Sequence, residues 1–203
     1  MQVYGGAIKD NSVTDAAGGI FIRNNSFLTI NGGEISNNIA NVNGGGVYVY
    51  NDSTIVFAGG EISNNNAGQY CGGVYVNGGS YFVMTDGKIV NNTAKADGGG
   101  VCVYRSIFEM TGGEILNNTA NSKGGGVLIA EYYSTPISFT VFGGEVSPTV
   151  VSGITFNKKG AAGLSPAAPF YFYIIYKYTN FGAYQSLPAM EKFLRCAYAH
   201  NLI

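Results

Sequence analysis

Charge is scarce in this chain. Asp, Glu, Lys and Arg make up 11% of its 203 residues, and the formal net charge is −1. A nucleic-acid surface needs clustered cations, so that class of partner is excluded. Histidine occurs once, at His200, and cysteine three times, as Cys71, Cys102 and Cys196. Their spacings match no metal-ligand pattern, so neither a metal nor a cofactor is expected. An odd cysteine count argues against a disulfide framework, while leaving room for one bridge. No apolar run approaches the ~18 residues of a membrane span, and the longest candidate, "AAPFYFYIIY" at 167–176, is too short. The start "MQVYGGAIKD" has neither the basic opening nor the apolar core of a signal peptide. It already lies inside the repeat described next, so the expectation is a fragment or a shortened relative of a longer surface protein. The 31 glycines follow no Gly-X-Y period, which excludes collagen, and 46% hydrophobic residues argue against a disordered chain.

What the chain has is a repeat. "GGEISNN" stands at 32–38 and 59–65, and returns as "DGKIVNN" at 86–92 and "GGEILNN" at 112–118. Aligned on the Gly-Gly pair, turns run over 5–31, 32–58, 59–85, 86–111 and 112–142, with a degenerate sixth to about Asn157. A fixed period near 27 residues is the mark of a solenoid.

Within each turn apolar residues alternate, the period of a strand. One inward column is Ile8, Ile35, Ile62, Ile89, Ile115 and Val146. "GGVYV" supplies two more, Val47, Val74, Val101, Val127 and Val49, Val76, Val103, Ile129, with Ile20 and Ile22 ahead of them. A third segment adds Leu28, Ile55, Phe82, Phe108, Phe139 and Ile30, Phe57, Met84, Met110, Val141. Three short strands per turn describe an all-β, single-chain parallel β-helix. Five turns at the strand spacing make a rod roughly 24 Å long. Gly-Gly admits a corner backbone that excludes a Cβ. Asn11, Asn38, Asn65, Asn92 and Asn118 share a register and are expected to bond turn to turn as a ladder. Ala40, Ala67, Ala94 and Ala120 fit a tight corner beside them.

"GGAI" or "GGGV" combined with "I-x-N-N-x-A" resembles the repeats of right-handed parallel β-helix surface proteins. These include the polymorphic outer-membrane proteins and adhesin-like proteins of the pectin-lyase-like fold. The resemblance covers residues 5 to about 157. It implies right-handedness, a cell-surface or secreted location and adhesion to a host or environmental glycan or surface protein, by a chain expected to be monomeric.

Residues 1–157 are thus read as the β-helix and 158–203 as a C-terminal cap. In the tail the period disappears. "PFYFYIIYKY" reads as a strand, and the segment after Ser186 as a helix with Met190, Phe193, Leu194, Ala197 and Tyr198 on one face. A cap would cover strand edges that the solenoid's end otherwise exposes.

Two outward columns are candidates for function. After Gly-Gly stand Ala7, Glu34, Glu61, Lys88, Glu114 and Glu145. Adjacent carboxylates suit a polysaccharide lyase or hydrolase, but the motif recurs in every turn, whereas catalysis needs one differentiated site. The other column, on the "GGVYV" strand, is Phe21, Tyr48, Tyr75, Cys102 and Leu128, with Arg23, Tyr50, Asn77, Tyr104 and Ala130 two residues on. Exposed aromatic ladders suit sugar stacking or protein contact, although aromatics also pack across strands for stability alone. Turn five gains residues between Glu131 and Pro136, which makes "AEYYSTP" at 130–136, with Tyr132 and Tyr133, a candidate recognition loop. The leading reading is a non-catalytic, adhesin-like surface solenoid. A polysaccharide lyase or glycoside hydrolase and a plain structural spacer stand behind it.

Overall fold

The structure, a computed structural model, describes residues 1–130, 138–141, 143–146 and 157–158. The expected recognition loop, with Tyr132 and Tyr133, and nearly all of the expected cap lie outside them. Among the described residues every regular element is a strand, and all the strand pairs are parallel, each strand lying beside its counterpart one turn away.

The three strand segments expected in each turn are present, and a shorter fourth joins them. The "GGVYV" segments Ile20–Arg23, Val47–Tyr50, Val74–Asn77, Val101–Tyr104 and Val127–Ala130 form one five-stranded sheet. An 11-stranded sheet joins the next segment to the Glu-Ile segment beyond the Gly-Gly pair, so that Thr54–Ser63 and Tyr81–Val90 run through both. The fourth segment is the corner that the sequence assigned to the alanines. Ser12–Val13, Ile39–Ala40, Asn66–Ala67, Thr93–Ala94 and Thr119–Ala120 pair as two-residue strands in a third sheet. Two-residue strands are too short to show alternation, which is why the period did not announce them.

The core is a stack of like residues. Ile35, Ile62, Ile89 and Ile115 are buried in one column, and Val47, Val74, Val101 and Val127 in another. Phe82 and Phe108 stack at 4.6 Å with ring planes 14° apart. Each such side chain contributes roughly 1.5–3 kcal/mol before chain entropy is subtracted. The Gly-Gly bend requires its second glycine: Gly60 has φ +93°, and a Cβ there would lie 2.5 Å from the Gly33 carbonyl oxygen.

The paired asparagines divide two tasks. The first of each pair, Asn37, Asn64, Asn91 and Asn117, holds φ between 55° and 57° and is exposed. Asn tolerates this left-handed conformation better than most side chains. The second forms the expected ladder, with more bonds than amide to amide. The Nδ2 group of Asn65 donates to Asn92 Oδ1 at 2.9 Å and to the Ile35 carbonyl at 2.9 Å. Its Oδ1 accepts from the Asn38 backbone N–H at 2.9 Å and from Asn38 Nδ2 at 3.0 Å. Both donors and both lone pairs of the amide are thereby used. The same pattern links Asn11 to Asn38 and Asn92 to Asn118. A parallel serine ladder runs at another corner: Ser53, Ser80 and Ser106 each accept through Oγ from the backbone N–H of the preceding turn's serine.

The two asparagine roles predict opposite sensitivities. Asn65→Ala strands several buried groups at ~1–3 kcal/mol each, so the denaturant midpoint of the folded chain should fall steeply. Asn64→Gly, one residue away, should leave stability within about 0.5 kcal/mol or raise it, because Gly adopts positive φ without strain. Equal losses in the two variants would refute the division.

Candidate functional site

The aromatic column on the "GGVYV" sheet is continuous but mostly not exposed. Phe21 and Tyr48 stack at 4.9 Å with planes 13° apart, and Tyr48 and Tyr75 at 4.7 Å and 30°. Tyr75 meets Tyr104 edge-on at 5.4 Å. Phe21 is 44% exposed and Tyr50 40%, whereas Tyr75, Tyr104, Cys102 and Leu128 are buried. With Cys71 they form a second apolar cluster outside the main core, against which Tyr48 and Tyr70 pack. The expectation of a solvent-facing ladder is therefore corrected for its C-terminal half. Ring faces turned toward the neighbouring turns are occupied by one another, so the column presents edges outward.

A Cys71–Cys102 disulfide, with Cα atoms 5.6 Å apart, ties the corner segment to this strand. The odd cysteine count argued against a framework of bridges but left room for this one. The left-handed backbone at this corner offered a further signal. Ala17, Gly44, Gly98 and Gly124 occupy the same place in other turns with φ between 65° and 70°, and Cys71 holds φ 64°. A cysteine at a place that asks for glycine is strained unless its bond compensates. Space confirms the arrangement, because a Cβ at Gly98 would collide with the Cys102 sulfur.

Polar groups frame the exposed end of the column. The Arg23 guanidinium lies over the Phe21 ring, 5.4 Å from its centroid. Asn77 Nδ2 donates to Tyr75 Oη at 3.2 Å. A Cβ at Gly78 would lie 3.0 Å from the Tyr50 ring, so that ring packs closely over the glycine backbone. Burial pushes the Tyr48 phenol above its ordinary value of 10.0, against a hydrogen bond from Asn77 that lowers it.

The second candidate is an open groove along the Gly-Gly bend, of about 650 Å³, floored by Gly60, Gly87 and Gly113. Glu61, Asp86, Lys88, Glu114 and Glu145 line it. Ala7, Glu34, Glu61, Lys88, Glu114 and Glu145 are in register from strand to strand. Lys88 Nζ sits 3.0 Å from Glu114 Oε2, an exposed pair. That hydrogen bond raises the Lys88 ammonium's pKa. Ser36 Oγ donates to Glu34 Oε1. The groove thus offers Glu61, Glu114 and Glu145 at equivalent backbone positions, with Glu114 and Glu145 one strand step apart, Lys88 between Glu61 and Glu114, and Asp86 off that register.

Two outcomes test the aromatic cluster. Replacing Cys71 and Cys102 by alanine should destabilise the rod by roughly 3–4 kcal/mol, from the loop the bridge closes. Cys71→Gly with Cys102→Ala should recover about 1 kcal/mol of that in a denaturant titration, since glycine suits the left-handed corner. The Tyr48 phenol's folded value lies above its unfolded one, so the stability it contributes is complete below about pH 10. It is lost as pH rises through the folded value, and an alkaline melting series of Tyr48→Phe should show a smaller decline than the parent chain.

In comparison with known proteins, the family model for the right-handed β-helix region matches residues 2–142. No curated protein and no solved structure matches. The stacked parallel sheets and that match over more than half of the chain lead to one conclusion: this protein belongs to the right-handed β-helix family.

Proposed function

We propose that the chain is a non-catalytic, adhesin-like β-helix, at the cell surface or secreted, that binds a glycan or a surface protein through its outer face. The observation that carries this reading is the repetition of the outer face itself. Its columns, Glu34 to Glu145 among them, stand in register at equivalent backbone positions, which suits an extended ligand touching several turns. Acid–base catalysis asks instead for carboxylates whose environments differ enough to separate their roles. The Cys71–Cys102 disulfide supports an oxidising, extracytoplasmic setting.

One observation favours a second reading, a polysaccharide lyase or glycoside hydrolase. Glu34 and Glu61 are neighbours across one strand step, Glu61 lines the open groove, and retaining glycosidases hold their carboxyl pair near 5 Å.

Affinity electrophoresis through gels containing different glycans, polyuronides included, separates these readings. Retarded migration with intact polymer is the expected result. Shortened polymer would replace the binding reading with hydrolysis or elimination at Glu34 and Glu61. Free migration in every gel would leave a protein-binding adhesin or a spacer.

A further inference from the structure

The outer face of the large sheet carries aromatic rings of a different kind from the stacked ladder. Phe27, Thr54 and Tyr81 are consecutive in one column, paired in register across three turns. Phe27 is 55% exposed and Tyr81 46%. Thr54 stands between them, so the two rings are separated by two strand spacings, about 10 Å. Among the described residues neither ring is stacked on another, in contrast to Phe21, Tyr48 and Tyr75. Beside them runs a second outward column, Thr29, Val56 and Val83, half-buried. On this face of the four strands from Phe27 to Met110, Glu109 alone carries a charge.

We propose that this face binds a neutral, extended, β-1,4-linked polysaccharide laid along the solenoid axis, with one sugar over each strand. The inference rests on the outer-face binding reading and names its ligand class. In such a polymer successive sugars are flipped, so every second sugar presents the same flat C–H face. Phe27 and Tyr81, two strands apart, match that alternation, and the Thr54 hydroxyl faces the intervening sugar. Sugar faces stack on unpaired rings because both surfaces are apolar and flat, while the rims stay hydrated. The near-absence of charge fits an uncharged polymer and not a polyuronide. Self-association is a poorer fit, since it calls for a continuous apolar centre and Thr29 and Thr54 interrupt this one.

The test is affinity electrophoresis of the full chain in hydroxyethylcellulose, soluble starch and polygalacturonate, with Phe27→Ala, Tyr81→Ala and Tyr81→Phe alongside. Retardation by hydroxyethylcellulose is expected, weakened about tenfold by either alanine, the order of one lost aromatic contact. Tyr81→Phe should retain it, and all three variants should melt with the parent. Retardation in hydroxyethylcellulose that the alanine variants do not change would overturn the site but spare the outer-face reading. Retardation by starch or polygalacturonate alone would do the same. No retardation in any gel would overturn this site and leave the outer-face reading only a protein ligand. Dimerisation in sedimentation runs that Phe27→Ala abolishes would make this face a contact between copies, and the proposal would fail.

Discussion

Register between turns governs this molecule. Each residue lies about one strand spacing from its own counterpart on the next turn, so the sequence must consist of residues that tolerate a copy of themselves. An amide does, because it donates to one neighbour and accepts from the other, as Asn38, Asn65 and Asn92 do. Branched aliphatics and aromatic rings do, by packing. A charge does not, because like charges directly opposite repel. The scarcity of charge, at 11% of residues, follows from the same rule. Where acidic residues are stacked, as in Glu34 and Glu61, the next position is Lys88, which pairs onward to Glu114.

The rule also separates two classes of aromatic residue. When rings occupy successive turns they stack on one another, as Phe21, Tyr48 and Tyr75 do, and the outward column becomes packing. Covered further by the disulfide corner, Tyr75 and Tyr104 are structural before they are anything else. When a threonine intervenes, as Thr54 does between Phe27 and Tyr81, the rings keep their faces. A contact surface on a like-on-like lattice therefore arises where the column is broken, and unbroken columns become core.

Most of what was legible in the sequence came from one residue type recurring at one place. The inward columns, the Gly-Gly bend and the asparagine ladder all show themselves by repetition, and among the described residues they stand in the structure where repetition puts them. What escaped lay outside alternation. The third sheet's two-residue strands are shorter than the period that reveals strands. The serine ladder of Ser26, Ser53, Ser80 and Ser106 recurs as regularly as the asparagines, but serine is an ordinary turn residue and its recurrence does not by itself signal bonds between turns. The burial of Tyr75 and Tyr104 depends on a corner segment crossing the strand's outer side, which strand parity does not encode. The bridge from Cys71 depends on a left-handed corner, and a cysteine count carries no such information. In the candidate sites, the sequence placed the Glu column and the aromatic column correctly in register. It did not distinguish an exposed ring from a stacked one.

The departures from the repeat between residues 70 and 90 share a further property. Cys71 replaces a corner glycine, and its strained backbone is held by the bond to Cys102. Gly78 replaces the Asn51 of the turn before, and the Tyr50 ring packs over the space. Lys88 replaces a glutamate and is answered by Glu114. Each change is compensated by a contact with an adjacent turn, which is the way a nearest-neighbour stack absorbs an exception. The core columns through the same span continue unbroken, from Ile62 to Ile89 and from Val74 to Val101. Polar and charged departures thereby fall at corners and outward positions, while the inward columns change only among apolar residues, as from Leu28 to Ile55 to Phe82, and keep the register that holds the rod together.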